Sequence, residues 1–509
     1  MRQYTSRRDF LRRGATAAAG SALLMTAHPT SAQPAPATGA RRNVIFILID
    51  DQRYDAMGFM GHPFLETPHL DAMAGNGVVF ENAFVTNSLC SPSRATILTG
   101  TYAHRHGVLD NNTPLPQDLT TFPQLLQKNG YKTAFIGKWH MGGSSDAPQP
   151  GFDHWVSFRG QGVYNNPQLN VNGQSIKREG YITDLLTDYA EQFLRGPHEK
   201  PFFLYLSHKA VHAEFAAAER HKGCYANAKY PRPRSMADTE ENYRGKPAWV
   251  RAQRNSWHGV DGMYNGTTDY DTFVRDYAET LRAVDDSIGR VMETLRSLGM
   301  LESTLILYTS DNGFQFGEHG LIDKRTMYEP SIRVPLIAHC PELSPQPQRR
   351  KEMIANLDFA PTILDTAGTS VPDFVQGQSF LKLLRNEPIQ WRDAFLYEYF
   401  WERSFPQTPT VLGVRTERHK FMKYHGIWDR YEIYDVQADP DEMNNLLGGF
   451  LQRNEAGTLE SYIRQKAGPE VKRLFNDLEE RLSGIMRETG CREEPTWTAL
   501  KGIGKQVPL

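Results

Sequence analysis

The chain has 509 residues, 39% of them hydrophobic and 23% charged, and its formal net charge is −2. A chain of this length can bury a large core, and the composition is ordinary for a globular protein. The nearly neutral charge provides no basic field, so we expect no nucleic-acid partner. The four cysteines are scattered and include no Cys-x-x-Cys pair, which argues against a structural zinc site and a disulfide framework.

The amino terminus is predicted to be an export signal covering residues 1–32. Residues 6–11 read Ser-Arg-Arg-Asp-Phe-Leu and precede an apolar run at 15–27, which is typical of a twin-arginine signal, and small residues at 30–32 offer a cleavage site. An uncleaved anchor is the alternative. The pattern predicts a twin-arginine translocase as a partner and a periplasmic or secreted protein. Residues 33–42 are predicted to be a linker, and we expect no transmembrane segment in the mature chain.

Four apolar runs predict strands that are buried on both faces of a parallel sheet: residues 44–49, 133–136, 202–206 and 305–308. Each run is followed within a few residues by charged or coordinating side chains. In open α/β sheets, ligands bind outside the carboxyl ends of the strands. We therefore expect one site at the edge where these four strands end.

Helical and turn-rich segments complete the predicted fold up to residue 385. Apolar residues at three- and four-residue spacing predict a helix that packs on the sheet and ends at Gly299: Tyr277, Leu281, Val284, Ile288, Val291 and Leu295. Residues 160–180 and 221–271 are rich in Gly, Asn, Pro and aromatic residues. They are predicted to be long loops that shape a pocket.

The remainder of the chain is predicted to form a smaller unit. Short aromatic strands are expected at residues 394–400, 411–415, 421–424 and 431–434. A terminal helix is expected from the apolar stripe of Val471, Leu474, Leu478, Leu482 and Ile485. The predicted fold class is α/β, with a large, mostly parallel sheet sandwiched by helices in residues 43–385. Residues 386–509 would add a C-terminal α+β subdomain with an antiparallel sheet and the terminal helix.

The stretch from Cys90 to Arg94 reads Cys-Ser-Pro-Ser-Arg and indicates a reactive side chain at a helix start. Helix amino ends favour anions, because their free N–H groups and the helix dipole point there. Arg94, one turn further on, would hold the reactive group or an oxyanion. A buried structural cysteine in an ordinary loop is the alternative, and this stretch alone leaves both readings open.

Asp50, Asp51, Asp311 and Asn312 form an all-oxygen set that follows two of the predicted strands. Carboxylate and amide oxygens are the ligands of hard divalent cations such as calcium and magnesium. Each pair alone would also suit a helix cap or a solvated turn. Convergence of the two pairs beside Cys90 favours a metal site.

Five further side chains supply positive charge or proton transfer: Arg94, Lys138, Lys324, His140 and His212. Lysine and arginine are rarely buried without an anion to meet. A divalent ion together with several cations indicates a site for a tetrahedral oxyanion, either sulfate or phosphate.

In this order the motifs resemble the type I, formylglycine-dependent sulfatases of the alkaline phosphatase superfamily, and the resemblance covers nearly everything from Asn43 onward. It is carried by Asp-Asp-Gln-Arg at 50–53, Cys-Ser-Pro-Ser-Arg at 90–94, Gly-Lys-Trp-His at 137–140, Ser-Asp-Asn-Gly at 310–313 and Lys-Arg at 324–325. The resemblance implies an alkaline phosphatase-like fold. The pattern is closest to that of N-acetylglucosamine-6-sulfatases.

The resemblance also implies how the site is completed. Cys90 would be oxidised to Cα-formylglycine by a formylglycine-generating or sulfatase-maturing enzyme, which reads the Cys-x-Pro-x-Arg context. Asp50, Asp51, Asp311, Asn312 and the modified residue 90 would then bind calcium, in preference to magnesium.

The mechanism implied by the resemblance starts from the hydrated aldehyde. One hydroxyl, activated by calcium and Arg94, attacks sulfur. Lys138, Lys324 and His212 would bind the sulfate oxygens, and one histidine or lysine would protonate the leaving alcohol. His140 would deprotonate the remaining hydroxyl, so that the aldehyde re-forms and sulfate leaves.

One motif departs from the family pattern. The usual Pro-His-x-Pro reads Val-His-Ala-Glu at 211–214, so both prolines are missing. His212 remains the better match than His208. His208 and His319 are predicted to bind substrate, with a surface or supporting role as the alternative for each.

The substrate predicted by the resemblance is a sulfated carbohydrate. Residues 207–212 and 324–329 are similar to sulfatases that act on 6-O-sulfated N-acetylglucosamine, although algal polysaccharide sulfatases share much of the pattern. Four aromatic residues are candidates for stacking on sugar rings, with packing as the alternative: Trp155, Tyr164, Trp257 and Trp401.

Two other functions compete with a glycan sulfatase. The first is a phosphomonoester or phosphonate hydrolase on the same fold, and the second is a non-catalytic glycan-binding protein. Cys90 and the oxygen-only metal set favour sulfate over a two-zinc phosphatase, and the filled motif positions favour an enzyme.

Overall fold

The computed structural model describes residues 41–427, 430–450 and 458–492. The predicted export signal lies outside the described residues, as does the predicted linker except for Arg41 and Arg42. Within the described ranges, no helix is long and apolar enough to cross a membrane.

The strands, numbered in chain order, vary from two to seven residues in length. They are β1 (Val44–Ile49), β2 (Val78–Phe80), β3 (Ala83–Phe84), β4 (Lys132–Lys138), β5 (His154–Phe158), β6 (Gln168–Val171), β7 (Gln174–Lys177), β8 (Phe202–Ser207), β9 (Leu305–Ser310), β10 (Gln315–Phe316), β11 (Ile322–Asp323), β12 (Arg333–Val334), β13 (Leu336–His339), β14 (Gln348–Arg350), β15 (Ile354–Ala355), β16 (Ala394–Tyr399), β17 (Thr410–Thr416), β18 (His419–His425) and β19 (Tyr431–Asp435).

The α-helices are numbered in the same way. They are α1 (Pro68–Gly75), α2 (Cys90–Thr99), α3 (Ala103–His106), α4 (Phe122–Lys128), α5 (Ile182–Arg195), α6 (Glu240–Tyr243), α7 (Ala248–Ala252), α8 (Tyr270–Ser297), α9 (Glu329–Ile332), α10 (Phe359–Thr366), α11 (Leu381–Leu384), α12 (Leu459–Lys466) and α13 (Pro469–Thr489).

The central sheet has ten strands in the described part of the chain, in the order β14-β2-β13-β9-β1-β8-β4-β5-β6-β7. The four strands expected from the apolar runs are neighbours, and β9, β1, β8 and β4 run parallel. Their carboxyl ends therefore open at one edge, as predicted. Antiparallel pairs lie at the flanks, where β13 joins β9 and β6 joins β5 and β7, so the whole sheet is mixed.

Helices cover both faces of this sheet. Along β1, Val44, Phe46 and Leu48 join a core with α2, α4 and α10. The alternate residues Ile45 and Ile47 join a second core with α1, α5 and α8. Because both faces of β1 are buried, its sequence is an unbroken apolar run rather than an alternating one. The predicted α/β sandwich is confirmed.

The predicted sheet-packing helix is α8, which ends two residues before Gly299. Its first turn is capped by Asp269, whose carboxylate accepts hydrogen bonds from the backbone N–H groups of Asp271 and Thr272. The loop prediction for 160–180 is wrong in part, because β6 and β7 form a hairpin there. The turn is Asn172-Gly173, both with positive φ, which is the pair that favours tight hairpins.

The C-terminal sheet is antiparallel in the order β16-β17-β18-β19, and the predicted strands and terminal helix are confirmed. One face, including Tyr397 and Tyr424, joins the core beneath the central sheet. The other, including Phe421, packs against Leu478 and Leu482 of α13. The predicted boundary between residues 385 and 386 stays a prediction.

Buried charges connect this small sheet to the segment around α9. Arg415 Nε on β17 donates to Glu329 Oε1 at 2.8 Å, and Lys420 Nζ on β18 lies 2.9 Å from the same oxygen. The hydroxyl of Tyr328 donates to Glu432 Oε2 on β19 at 3.0 Å. These bonds hold the chain immediately after Lys324, which belongs to the predicted site.

A partly buried histidine joins the end of α13 to the rest of the protein. His104 donates from Nδ1 to Glu398 Oε2 at 2.7 Å and from Nε2 to the carbonyl of Thr489 at 3.0 Å. Burial by itself would lower the pKa of His104, but hydrogen bonds to Cys491 and Glu398 outweigh it and raise the pKa to about 10. His104 is therefore protonated, as an imidazolium, in the folded protein at neutral pH.

Replacing His104 by Gln should destabilise the protein in a pH-dependent way. The folded pKa of about 10 lies above the unfolded value of 6.5, so the stabilisation is complete below pH 6.5 and is lost as the pH rises through 10. We expect the free energy of unfolding to fall by about 1.5–3 kcal/mol at pH 6, the worth of hydrogen bonds to a charged group. The difference from wild type should disappear near pH 10.

Urea unfolding of both proteins at pH 6, 8 and 10 measures this effect. His154→Gln is a suitable control, because burial lowers the pKa of His154 and the described chain gives it no carboxylate partner. A loss in His104→Gln that is the same at all three pH values would contradict the charged state.

Candidate active site

The oxygen-rich part of the site follows β1 and β9, which are adjacent strands. Carboxylate oxygens of Asp50, Asp51 and Asp311 lie within 4.8 Å of one another, and all three side chains are buried. Asn312 donates from Nδ2 to Asp51 Oδ1 at 2.7 Å, whereas its buried Oδ1 has no hydrogen-bond partner in the described structure. This donor set, with an orphaned amide oxygen, fits a hard divalent cation.

Two of these carboxylates hold protons more tightly than usual. Burial raises the pKa of Asp51 to about 7, against the opposing effect of Lys324. Burial and the neighbouring Asp50 also raise the pKa of Asp311. Burial would raise that of Asp50 too, but Lys138 holds it well below its usual value. Three buried carboxylates this close together need additional positive charge to be ionised at once.

Cys90 is the first residue of α2, as predicted, and its Sγ lies 3.5 Å from Asp50 Oδ1. Burial and the charge of Asp50 raise the pKa of this thiol well above its usual value. The thiolate, which is the nucleophilic form of cysteine, is therefore suppressed at this position. An unmodified Cys90 is poorly suited to catalysis.

Helix α2 is buried along its whole length, which fixes Cys90 in place. The backbone N–H of Ser91 donates to Asn111 Oδ1 at 3.0 Å. Gly100 follows the last residue of α2 as its C-terminal cap, and its φ of +67° lies in the left-handed region. A Cβ there would also approach Val375 Cγ1 to 2.8 Å, so glycine is required on two grounds.

Arg94 connects the ends of three strands. It donates from Nε to Asp311 Oδ2 at 2.9 Å, and from Nη1 to the Lys138 carbonyl at 2.7 Å and Ser207 Oγ at 2.8 Å. Burial opposes its charge, but Asp311 and Asp50 outweigh this and raise the pKa of Arg94 further. The guanidinium is therefore a permanent cation beside Cys90.

The predicted lysines face the same carboxylates. Lys138 Nζ contacts Asp50 Oδ2 and Gln161 Oε1. Lys324 Nζ lies 2.6 Å from Asp51 Oδ1. Both ammonium groups are buried, so their charges are compensated by these carboxylates rather than by water.

His140 and His212 lie at the site as neutral bases. Burial and Lys138 lower the pKa of both histidines well below the usual value. His212 Nε2 is 3.9 Å from Asp51 Oδ2, and a ring nitrogen of His212 lies within 4.8 Å of Cys90 and Asp50. Nδ1 of His140 is buried without a hydrogen-bond partner in the described residues. Neutral imidazoles of this kind can accept a proton.

The structure does not bring His208 and His319 into this group. His208 is fully buried, and its Nε2 lies 3.1 Å from Ser287 Oγ on α8, at the helix-covered face of the sheet. His319 is also buried, and its ring packs on Tyr328 with the centroids 4.1 Å apart. Successive side chains along a strand point to opposite faces of the sheet. Ser207 at the end of β8 contacts Arg94, so the next residue, His208, points to the other face, towards α8.

Two of the four candidate sugar-stacking aromatics are buried instead. Trp155 packs on Phe135 at 4.7 Å, and Tyr164 has 6% of its surface exposed. Trp257 and Trp401 are 39% and 40% exposed. Of the four candidates, Trp257 and Trp401 are therefore the two that are exposed enough to stack on a sugar ring.

Sequence reasoning missed several side chains that complete the site. Gln161 contacts Lys138, and Ser207 holds Arg94. Gln161 comes from a loop without a recognisable motif, and Ser207, the last residue of β8, lies in the segment 207–212 but has no chemistry that suggests a contact with Arg94. Gly137 belongs to the motif at 137–140, and the structure gives the reason for glycine there, since a Cβ would lie 1.7 Å from the Ser207 carbonyl oxygen.

Comparison with known proteins agrees with this geometry. The family model "Sulfatase" matches residues 42–369, and the model "N-sulphoglucosamine sulphohydrolase, C-terminal" matches residues 317–467. The chain belongs to the sulfatase family. As a member of this family it is a sulfuric ester hydrolase with the alkaline phosphatase-like fold.

Relatives match over most of their length. An N-acetylglucosamine-6-O-sulfatase of Bacteroides thetaiotaomicron is 36% identical, over 82% of this chain and 84% of the relative. The human N-acetylglucosamine-6-sulfatase is 32% identical, over 81% and 82%. The solved structure of BT4656 with its substrate D-glucosamine-2-N,6-O-disulfate has a TM-score of 0.79 at 33% identity, covering 90% of this chain and all of that one.

The two histidines at the end of β8 should differ in their contributions to activity. His212→Gln should lower kcat/KM by about 10²–10⁴-fold, the usual effect of losing a positioned acid or base. His208→Gln should leave turnover of an aryl sulfate nearly unchanged, because His208 contacts Ser287 and not the site. Steady-state kinetics of both variants measures this difference.

Thermal unfolding of the same two variants separates the roles. His208→Gln is expected to lower Tm, since a buried hydrogen bond is disturbed. Equal losses of activity in the two variants would contradict the placement of His208 outside the site.

Proposed function

We propose that this sulfatase removes 6-O-sulfate from N-acetylglucosamine, or from a closely related glucosamine unit, in sulfated glycans. The proposal is carried by the convergence of Cys90, Arg94 and two buried lysines on one carboxylate cluster, in a chain that matches 6-sulfatases along most of its length. Three buried cations around a nucleophile position suit a sulfate monoester. The carbohydrate is inferred from the relatives.

We infer that Cys90 is converted to Cα-formylglycine by a formylglycine-generating or sulfatase-maturing enzyme. Its Sγ marks the place that the aldehyde hydrate oxygens would take, beside Asp50. Formylglycine supplies an oxygen nucleophile that can later release sulfate, which a plain cysteine cannot. The raised pKa of the Cys90 thiol supports this modification, because sulfur at this position is unreactive.

Calcium is the cofactor that we propose for the carboxylate cluster. Asp50, Asp51, Asp311 and Asn312 would hold it, together with the modified residue 90. Calcium would supply positive charge that favours ionised oxygens at the site. Four oxygen donors without a sulfur or imidazole requirement suit calcium or magnesium better than zinc.

The remaining roles follow from position and charge. Arg94 holds Asp311 and supplies charge beside residue 90, while Lys138 and Lys324 bind the sulfate oxygens. His212, near Cys90, is placed to bind sulfate or to protonate the leaving alcohol. His140, with its unpaired ring nitrogen, is placed to accept a proton when the product is released.

Export is part of the proposal. The Ser-Arg-Arg motif and apolar run within residues 1–32 support transport by a twin-arginine translocase and a periplasmic or secreted enzyme. Such transport carries folded proteins, which suits an enzyme that is modified before it leaves the cytoplasm.

A panel of four substrates tests the function. Protein from the native host should cleave N-acetylglucosamine-6-sulfate and 4-nitrophenyl sulfate, and should cleave 4-nitrophenyl phosphate and a phosphonate monoester far more slowly. Peptide mass measurement across residue 90 should show the mass loss of formylglycine conversion. Faster cleavage of the phosphate, or active enzyme with an unmodified Cys90, would contradict the proposal.

Asp311→Asn tests the metal without relying on turnover. After EDTA treatment, calcium should raise the Tm of the wild-type protein, because a ligand that binds only the folded state stabilises it. The variant should show little shift, since it loses a carboxylate ligand and the partner of Arg94. Asp184→Asn, on the exposed face of α5, is the control and should respond like wild type. A full calcium response in Asp311→Asn would remove Asp311 from the metal site.

A further inference from the structure

Lys209 is a buried cation to which the sequence analysis assigns no role, although it lies within the segment 207–212. It follows β8 by two residues, at the edge where the four parallel strands end, and only 3% of its surface is exposed. Lys138 and Lys324 pair with Asp50 and Asp51, respectively. Within the described ranges, Lys209 Nζ has neither a hydrogen bond nor a carboxylate within ion-pair distance.

The contact that the structure does give Lys209 is with an aromatic face. Its Nζ lies 4.4 Å from the ring centroid of Tyr164, a cation–π arrangement. The hydroxyl of Tyr164 donates to the backbone carbonyl of His212 at 2.6 Å. The ring of Tyr164 also stacks on Tyr181 at 5.9 Å. Tyr164 therefore orients both Lys209 and the chain at His212.

The charged groups of the site act on the ammonium group of Lys209. Burial and the nearby Lys138 lower its pKa to about 8, while Asp50, Asp51 and Cys90 act in the opposite direction. Lys209 therefore interacts electrostatically with the charges of the site, while the aromatic ring of Tyr164 is the contact that the described structure gives its ammonium group. A buried cation beside another cation is unfavourable unless an anion compensates it.

We propose that Lys209 contacts the substrate, and that its ammonium group binds a non-bridging oxygen of the sulfate ester, beside Lys138. This inference rests on sulfate-ester hydrolysis and not on the identity of the sugar. The incoming sulfate supplies the anion that Lys209 lacks in the described structure. The ammonium then stabilises negative charge on the sulfate oxygens in a cleft with little water, where such an interaction is strong.

The test compares Lys209→Met and Lys209→Arg with wild type on 4-nitrophenyl sulfate and N-acetylglucosamine-6-sulfate. Lys209→Met keeps the length of the side chain and removes its charge. It should lower kcat/KM about 10²-fold on both substrates, and weaken inhibition by inorganic sulfate at least 10-fold. Lys209→Arg should restore part of both properties.

Lys132→Met is the matched control. Lys132 also lies over an aromatic ring, with Nζ 5.7 Å from the centroid of Phe193, but it stands at the opposite end of β4. Its kinetics should match wild type. Tm and the extent of formylglycine formation are measured in every variant, so that misfolding and poor maturation are recognised.

Three results would overturn the proposal. Wild-type kinetics in Lys209→Met would show that the cation does not contact substrate. A loss confined to the sugar substrate would place the contact outside the sulfate group. A loss with unchanged inhibition by inorganic sulfate, and no rescue by arginine, would show a purely structural role. If wild type cleaves only the aryl sulfate, the proposed sugar fails while the Lys209 test remains valid.

Discussion

Pairing between buried carboxylates and buried cations at one edge of the sheet is the interaction on which the rest of the site depends. Asp50 faces Lys138, Asp51 faces Lys324, and Asp311 binds Arg94 at 2.9 Å. Removing one partner would leave an uncompensated charge in a region that water does not reach. The same pairing concentrates cations around Cys90. Sulfate binding by these cations is the role that we propose for them.

The C-terminal sheet contributes to this cleft from a distance. Lys324 is held to Asp51, and four residues later Tyr328 is anchored to Glu432 on β19. Glu329 is bound by Arg415 on β17 and contacts Lys420 on β18. A sheet from the last quarter of the chain thus fixes the segment that carries Lys324, for which we propose sulfate binding. Buried polar contacts therefore join the C-terminal sheet to the segment that follows Lys324.

Histidines and aromatic residues show where sequence reasoning reaches its limit. The motif order favours His212 over His208, and the structure places His212 near Cys90 while His208 packs against Ser287. Tyr164 is a candidate for sugar stacking by sequence, yet it is buried beneath Lys209. Several polar residues follow each strand in the sequence, but the direction of each side chain depends on the turn that the backbone makes there. The sequence therefore does not show which of these residues reach the site.

The sequence by itself determined the four buried strands, the helix that starts at Cys90, the long helix α8 and the candidate metal-binding and cationic residues. These features depend on local periodicity and on motifs whose chemistry is specific. Only the tertiary structure decided that the strands are neighbours in the order β9-β1-β8-β4, and that Lys209 lacks a counterion among the described residues. Both features depend on contacts between residues that are far apart in the sequence. Such contacts are decided by the burial of apolar surface and the compensation of charge over the whole fold, which local sequence patterns do not specify.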